Sequence, residues 1–226
     1  MATIGVSKPM YALYSNNGTA VTYSNGGVLG KMTDVDVSIN TSEGNNLYAD
    51  NGIAEMDRSF SDGTLTVGTD DLSQEVSKAI LGVTEQPVGT IDGINPTEGS
   101  SYTELIFDDD METPYLGVGF IIKKQKNNKI KWRAIMYTKV MFNVPDEAAT
   151  TQGESIEWQT PSLVATIGRD DSEKHRWKRE ATFDTEAQAT AYLKNRLNIT
   201  EPSGGGTEEP PALRAAQTKT AVGDKV

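Results

Sequence analysis

Leu116-Gly117-Val118-Gly119-Phe120-Ile121-Ile122-Lys123-Lys124-Gln125-Lys126-Asn127-Asn128-Lys129-Ile130-Lys131-Trp132-Arg133-Ala134-Ile135-Met136-Tyr137-Thr138-Lys139-Val140-Met141-Phe142 reads as two long strands joined by a turn. Asn127-Asn128 supplies the turn chemistry. Leu116, Val118, Phe120 and Ile122 share one face of the first strand. Ile130, Trp132, Ala134, Met136, Thr138, Val140 and Phe142 share one face of the second. A two-residue loop would set even positions against odd ones. A three-residue loop over 126–128 pairs Ile122 with Trp132, Phe120 with Ala134 and Val118 with Met136, so burial favours that register. The same register sets Lys123 opposite Lys131, an unfavourable cross-strand pair. An acidic partner nearby would relieve it; the alternative is an ordinary solvated, Lys-rich hairpin tip.

Upstream, Asp34-Val35-Asp36-Val37-Ser38-Ile39-Asn40 alternates cleanly. Val35, Val37 and Ile39 face one side; Asp34, Asp36, Ser38 and Asn40 face the other. This is a half-buried antiparallel strand with a wet face. A second alternating run stands at Thr64-Leu65-Thr66-Val67. Nearer the start, Tyr11-Ala12-Leu13-Tyr14 and Ala20-Val21-Thr22-Tyr23 flank the turn signal Asn16-Asn17-Gly18. Residues 41–62 form a polar stretch, rich in Gly, Asn and Asp, around Leu47 and Tyr48. In so long a loop, Leu47 and Tyr48 either mark a partner surface or pin the loop to its own domain.

A helix is expected over 71–81, capped by Asp71 with Gln74 three residues on. Leu72, Val76 and Ile80 form its core stripe, and Gly82 supplies the position after its end. Residues 83–113 read as turns and a short strand. They include the carboxylate cluster Asp108-Asp109-Asp110-Met111-Glu112, which lacks the spacing of an EF-hand. It reads as a solvated loop or a contact for a basic neighbour.

Downstream, Ile156 and Trp158 share even positions, whereas Leu163, Ala165 and Ile167 share odd ones. Thr160-Pro161 at the switch implies a bulge or bend. A second helix is expected over 184–198, with Asp184 as its cap and Glu186 in its first turn. Lys194 and Arg196 lie in its last turn, an order that suits the helix dipole. Tyr192, Leu193 and Leu197 make its apolar side. Glu201-Pro202-Ser203-Gly204-Gly205-Gly206 has linker composition. The expected organisation is an N-terminal arm over 1–10, a β domain over 11–200 and a flexible extension over 201–226. The expected fold is mainly β, an antiparallel sandwich or part-barrel with a flanking helix and a C-terminal helix.

The 226 residues contain no Cys and one His, His175. Disulfides, thiol chemistry and a histidine metal cluster are therefore outside this chain's means. His175 lies in the polar run 170–176 and reads as an exposed loop residue. No P-loop, dinucleotide fingerprint or nucleophile elbow occurs. No catalytic residue, metal or cofactor is expected. No apolar run has the length of a membrane span, and the N-terminus lacks the features of a signal peptide. Net charge is −11, and it is unevenly spread. Residues 1–120 carry 18 acidic and 4 basic side chains, whereas 121–144 carry 7 basic and none acidic. Most of such a surface repels nucleic acid.

Three features recur together in one known family. The segment Leu47-Tyr48-Ala49-Asp50-Asn51-Gly52 sits between two alternating strands. Asp70-Asp71-Leu72 opens the first helix. Phe183-Asp184-Thr185-Glu186-Ala187 precedes the last one. In this order the chain resembles, over about residues 8–199, the major tail tube protein of long, non-contractile-tailed bacteriophages. The resemblance implies a structural subunit of which six copies close into a ring. Rings stack into a tube that guides the tape-measure protein and then passes DNA without specific binding. The tube is joined to tail terminator and distal tail proteins, and the chain would reside in the host cytoplasm and then the virion tail. Leu47, Tyr48, Asp50, Asn51, Asp108, Asp109, Asp110, Glu112, Lys123, Lys131 and Arg133 are the expected inter-subunit contacts. Asp34 and Asp36 are the expected lumen residues. A β-sandwich that binds a receptor is the alternative, but it would expose a cluster of aromatics. Trp132 and Trp158 instead fall on apolar strand faces.

Overall fold

The computed structural model describes residues 2–200 apart from 19, 43–45, 57, 89–101 and 152–158. The expectations for Ile156, Trp158 and the 201–226 extension lie outside the described residues. What is described is mainly β, built of antiparallel strands with two helices.

The strand β10 (Lys129–Phe142) organises the rest. One of its edges pairs with β9 (Leu116–Lys126). Along the other edge, Trp132 to Tyr137 pair with β12 (Lys178–Phe183), and Lys139 to Phe142 pair with β11 (Ser162–Gly168). Two arms thus diverge from one strand. On the far side of β9 lie β1 (Ala2–Asn16) and β2 (Val21–Val28). Beyond β11 lie β6 (Phe60–Thr69) and β3 (Met32–Thr41). The sheet curls until β3 approaches β1, which makes it a part-barrel.

Two small hairpins stand off this sheet, β4 (Asn46–Ala49) with β5 (Gly52–Met56) and β7 (Thr84–Pro87) with β8 (Thr103–Ile106). The residues expected to form a periodless arm, 1–10, belong mostly to β1. Ala2 to Ser7 pair with β9, and Met10 is buried.

The β9–β10 register corrects the burial argument. Lys126 lies opposite Lys129, so the loop has two residues, and Trp132 lies opposite Lys123 rather than Ile122. Lys131 lies opposite Lys124. Asn127 and Asn128 both have positive φ, 50° and 58°, the signature of a type I′ turn that suits the strand twist. Burial cannot discriminate between the registers because both faces of the hairpin are covered. Leu116, Val118 and Phe120 join Ile135 and Tyr137 in the main core, while Ile121 joins Ala134 and Met136 in a second core. A register shift between Tyr137 and Val140 then returns Val140 and Phe142 to the main core.

The second core is closed by α2 (Glu186–Arg196), whose Ala189 and Leu193, with Leu197 after it, are fully buried. The helix sits close because β9 offers glycines. A Cβ on Gly119 would meet Leu193 at 2.9 Å, and one on Gly117 would meet the Tyr23 ring and Leu197. The cap is Thr185, not Asp184: Thr185 and Gln188 form a reciprocal capping box. Likewise α1 (Gln74–Leu81) is capped by Ser73, which accepts from Val76, while Asp71 accepts from Leu72. Gly82 ends α1 at φ 73°, as expected, and Ile80 and Leu81 enter the main core. Leu163, Ala165 and Ile167 face the core after Pro161, also as expected.

Candidate assembly surfaces

The stretch 41–62 is not one loop. Leu47 pairs with Glu55, Tyr48 with Ile53 and Ala49 with Gly52, closing the β4–β5 hairpin. Asp50 and Asn51 form its turn with φ of 50° and 61°, again a type I′ signature. Sequence reasoning missed this hairpin because only four or five residues flank the turn, too few for a clear alternation. Ser42 donates its N–H to the carbonyl of Ser59 at 2.8 Å, joining the hairpin's two stems. Leu47 is 60% exposed and Ile53 49% exposed. A two-stranded ribbon is marginal by itself in water. The exposed Leu47 and Ile53 would gain burial only against another surface.

The basic hairpin tip divides into occupied and unoccupied cations. Lys123 lies over the Trp132 ring, 5.1 Å from its centre. Lys131 pairs with Asp184, and Arg133 with Glu180. Lys139 is 2.9 Å from Asp171 and sits over Tyr115 and Tyr14, at 4.5 and 5.3 Å. The partners of Lys131 and Arg133 come from β12 and its exit, a strand that sequence reasoning did not anticipate. Ala181 and Phe183 alternate there, but the strand is only six residues long. Among the described residues, Lys124, Lys126 and Lys129 make no ion pair.

Glu180 carries the clearest electrostatic signature. Hydrogen bonds from Lys178, at 2.7 Å, and from Arg133 hold its carboxyl down at about 2. The Asp171 carboxyl is lowered chiefly by Lys139 and by the Tyr14 hydroxyl 2.7 Å away. Burial raises Tyr14 in turn, to about 12. These groups tie strands together.

The acidic segment 108–112 follows β8. The N–H of Met111 donates to the carbonyl of Asp108 at 3.3 Å, so the segment is a tight turn. Asp108, Asp109, Asp110 and Glu112 are exposed and make no ion pair among the described residues. Phe107 beside them is 53% exposed. Met111 packs on the main core, and the Glu112 backbone lies against Gly82. His175 is exposed in the 170–176 loop, its Nδ1 3.3 Å from the Asp170 carbonyl. Among the described residues, no group of three or more His, Asp or Glu side chains could hold a metal ion. No helix there is long and apolar enough to cross a membrane.

The wet face of β3 continues across two neighbours. Asp34, Asp36, Ser38 and Asn40 lie opposite Gly68, Thr66, Thr64 and Asp62 of β6. Gly68, Thr66 and Thr64 in turn lie opposite Ser162, Val164 and Thr166 of β11. The result is a hydroxyl-rich face with three carboxylates. None of the three strands contains a Lys or Arg. Asp62 accepts from the Asn40 amide at 2.6 Å, and Asp34 from the Thr33 hydroxyl at 2.9 Å. Asp36 is exposed.

The molecule thus offers an anionic face, an apolar hairpin, a basic tip and an acidic turn. No known protein family matches this chain, and no curated protein is similar to it.

Proposed function

We propose that this chain is the structural subunit of a phage tail tube and carries no catalytic activity. Six copies form a ring, and rings stack into a tube through which DNA passes. The reading starts from the sequence features already named, the Leu47–Gly52 segment above all. The observation that supports it best is the β3–β6–β11 face. Duplex DNA carries about one negative charge per 1.7 Å of its axis. A surface meant to let it slide needs hydroxyls and carboxylates and no cations. Asp34 and Asp36 on β3 and Asp62 on β6, within a face of three strands that contain no Lys or Arg, meet that need. Cations are instead concentrated on the β9–β10 hairpin. The apolar β4–β5 hairpin supplies a surface for a neighbouring subunit.

Tape-measure, terminator and distal tail proteins would be the partners of such a tube. Electron microscopy of the purified protein at high concentration is the test. Rings or tubes with an open bore are expected. Monomers at every concentration would overturn the reading, and monomers with affinity for a receptor would favour a binding module that uses the exposed Tyr102 and Phe107.

A further inference from the structure

The unoccupied cations and the unoccupied carboxylates lie at opposite ends of one strand. β9 begins at Leu116, four residues after Glu112, and ends at Lys126 in the basic tip. Eleven residues in a strand rise roughly 3.3 Å each, so the strand is about 33 Å or more long. Four residues reach at most about 14 Å, so Glu112 stays about 20 Å from the tip. The Asp108–Met111 hydrogen bond keeps Asp108 in the same turn as Glu112. Among the described residues, no ion pair joins the two groups within one molecule.

Each end also carries an apolar residue. Ile130 is 42% exposed beside Lys129, and Phe107 is 53% exposed beside Asp108. With Lys123, Lys131 and Arg133 partnered within the molecule, Lys124, Lys126 and Lys129 are left without an ion pair among the described residues, and Lys126 and Lys129 are exposed. Nor does the acidic turn have a cation of its own: the lysine of α1, Lys78, is taken by Glu85 at 2.7 Å.

We infer that the β9–β10 tip of one copy docks on the 108–112 turn of another copy. Lys124, Lys126 and Lys129 meet Asp108, Asp109, Asp110 and Glu112, with Ile130 against Phe107. Two different patches of one surface in contact make a heterologous, head-to-tail joint, which repeats into a ring or a polar filament. The inference concerns how copies join. It rests on the charges and their separation, and the tube reading can survive its loss.

Two variants test it by sedimentation velocity and electron microscopy of the full chain. The first is Lys126→Glu with Lys129→Glu, and the second is Asp108→Lys with Asp109→Lys. All four side chains are exposed, so both variants should keep the wild-type circular dichroism. Each variant alone should self-associate about tenfold or more weakly, because each attraction becomes a repulsion of similar size. Mixed one to one, they should recover assembly, since each then offers the other a complementary end. Wild-type assembly should weaken from about 0.01 M to about 1 M salt, as the screening length falls from roughly 30 Å to roughly 3 Å.

Variants that assemble like wild type with the same salt response would overturn the joint and leave the tube reading standing. So would folded variants whose mixture fails to assemble. A wild-type chain that stays monomeric throughout would overturn both.

Discussion

Lys123 lies directly opposite Trp132 across the β9–β10 ladder, its ammonium 5.1 Å from the centre of the indole ring. Both side chains are half-buried, so the pair holds a cation on an aromatic face where a simple ladder would need a counter-ion. Such contacts are worth roughly 0.5–1 kcal/mol near a surface. Lys123→Gln should lower stability by about that amount in urea titration. Trp132→Leu should cost about 1–3 kcal/mol, because it also removes buried ring area. Equal losses from the two changes would show that the ring contributes only through the cation.

The tip register depends on two left-handed asparagines. Asn127→Ala or Asn128→Ala should each cost up to about 1 kcal/mol, because alanine lacks the short polar side chain that lets asparagine adopt positive φ. Asn128→Gly should be neutral or stabilising, as glycine adopts that conformation freely. Thermal unfolding of the three variants decides this. A stabilised alanine variant would mean that the turn is not type I′.

The Glu180 carboxyl is held at about 2, below its ordinary 4.5, first by Lys178 and then by Arg133. A depressed carboxyl contributes stability that is complete above its unfolded value and is lost as pH falls towards the folded one. The loss should therefore run between about pH 4.5 and pH 2. The side chain is 44% exposed, so screening by water keeps the contribution modest. Glu180→Gln should lower stability at neutral pH and flatten that part of the acid profile. An unchanged profile would mean that the Arg133–Glu180–Lys178 group is fully screened.

Leu47 and Ile53 stand exposed on the β4–β5 hairpin, apart from both cores. Replacing both with Ser should change folding stability by no more than about 0.5 kcal/mol. It should impair stacking of rings in electron micrographs. Normal tubes from the double variant would make the hairpin an ordinary surface ribbon.

Asp34→Lys combined with Asp36→Lys places cations on a face that has none. Affinity for duplex DNA should appear and fall with salt, the logarithmic slope steepening by about 0.9 per phosphate contacted. Fluorescence anisotropy of labelled DNA with assembled protein measures it. No gain in affinity would place these carboxylates away from the bore.

The strand content, the α1 stripe with its Gly82 stop, the wet face of β3 and the inward Leu163–Ile167 alternation were legible in the residues. Each of these expresses a local period or a local conformational need, which the chain carries in its own order. The cap identities shifted by one or two residues, because Asp71, Ser73, Asp184 and Thr185 are all competent caps by type. Packing chose among them: Asp184 turned to Lys131, and Thr185 closed the box with Gln188.

The β9–β10 register, the pairing of β10 with both β11 and β12, and the division of the basic tip were decided by tertiary structure. A register read from burial assumes one dry face, yet helix α2 covers the second face of this hairpin. The pattern therefore favoured the three-residue loop, whereas with both faces covered the two-residue type I′ turn, whose twist suits the strands, sets the register. The sequence by itself determined which residues are charged, and so an acidic first half and a basic hairpin. Only the fold determined which of those charges meet within the molecule. Ion pairing requires approach to about 4 Å, and a strand the length of β9 keeps its two ends far beyond that.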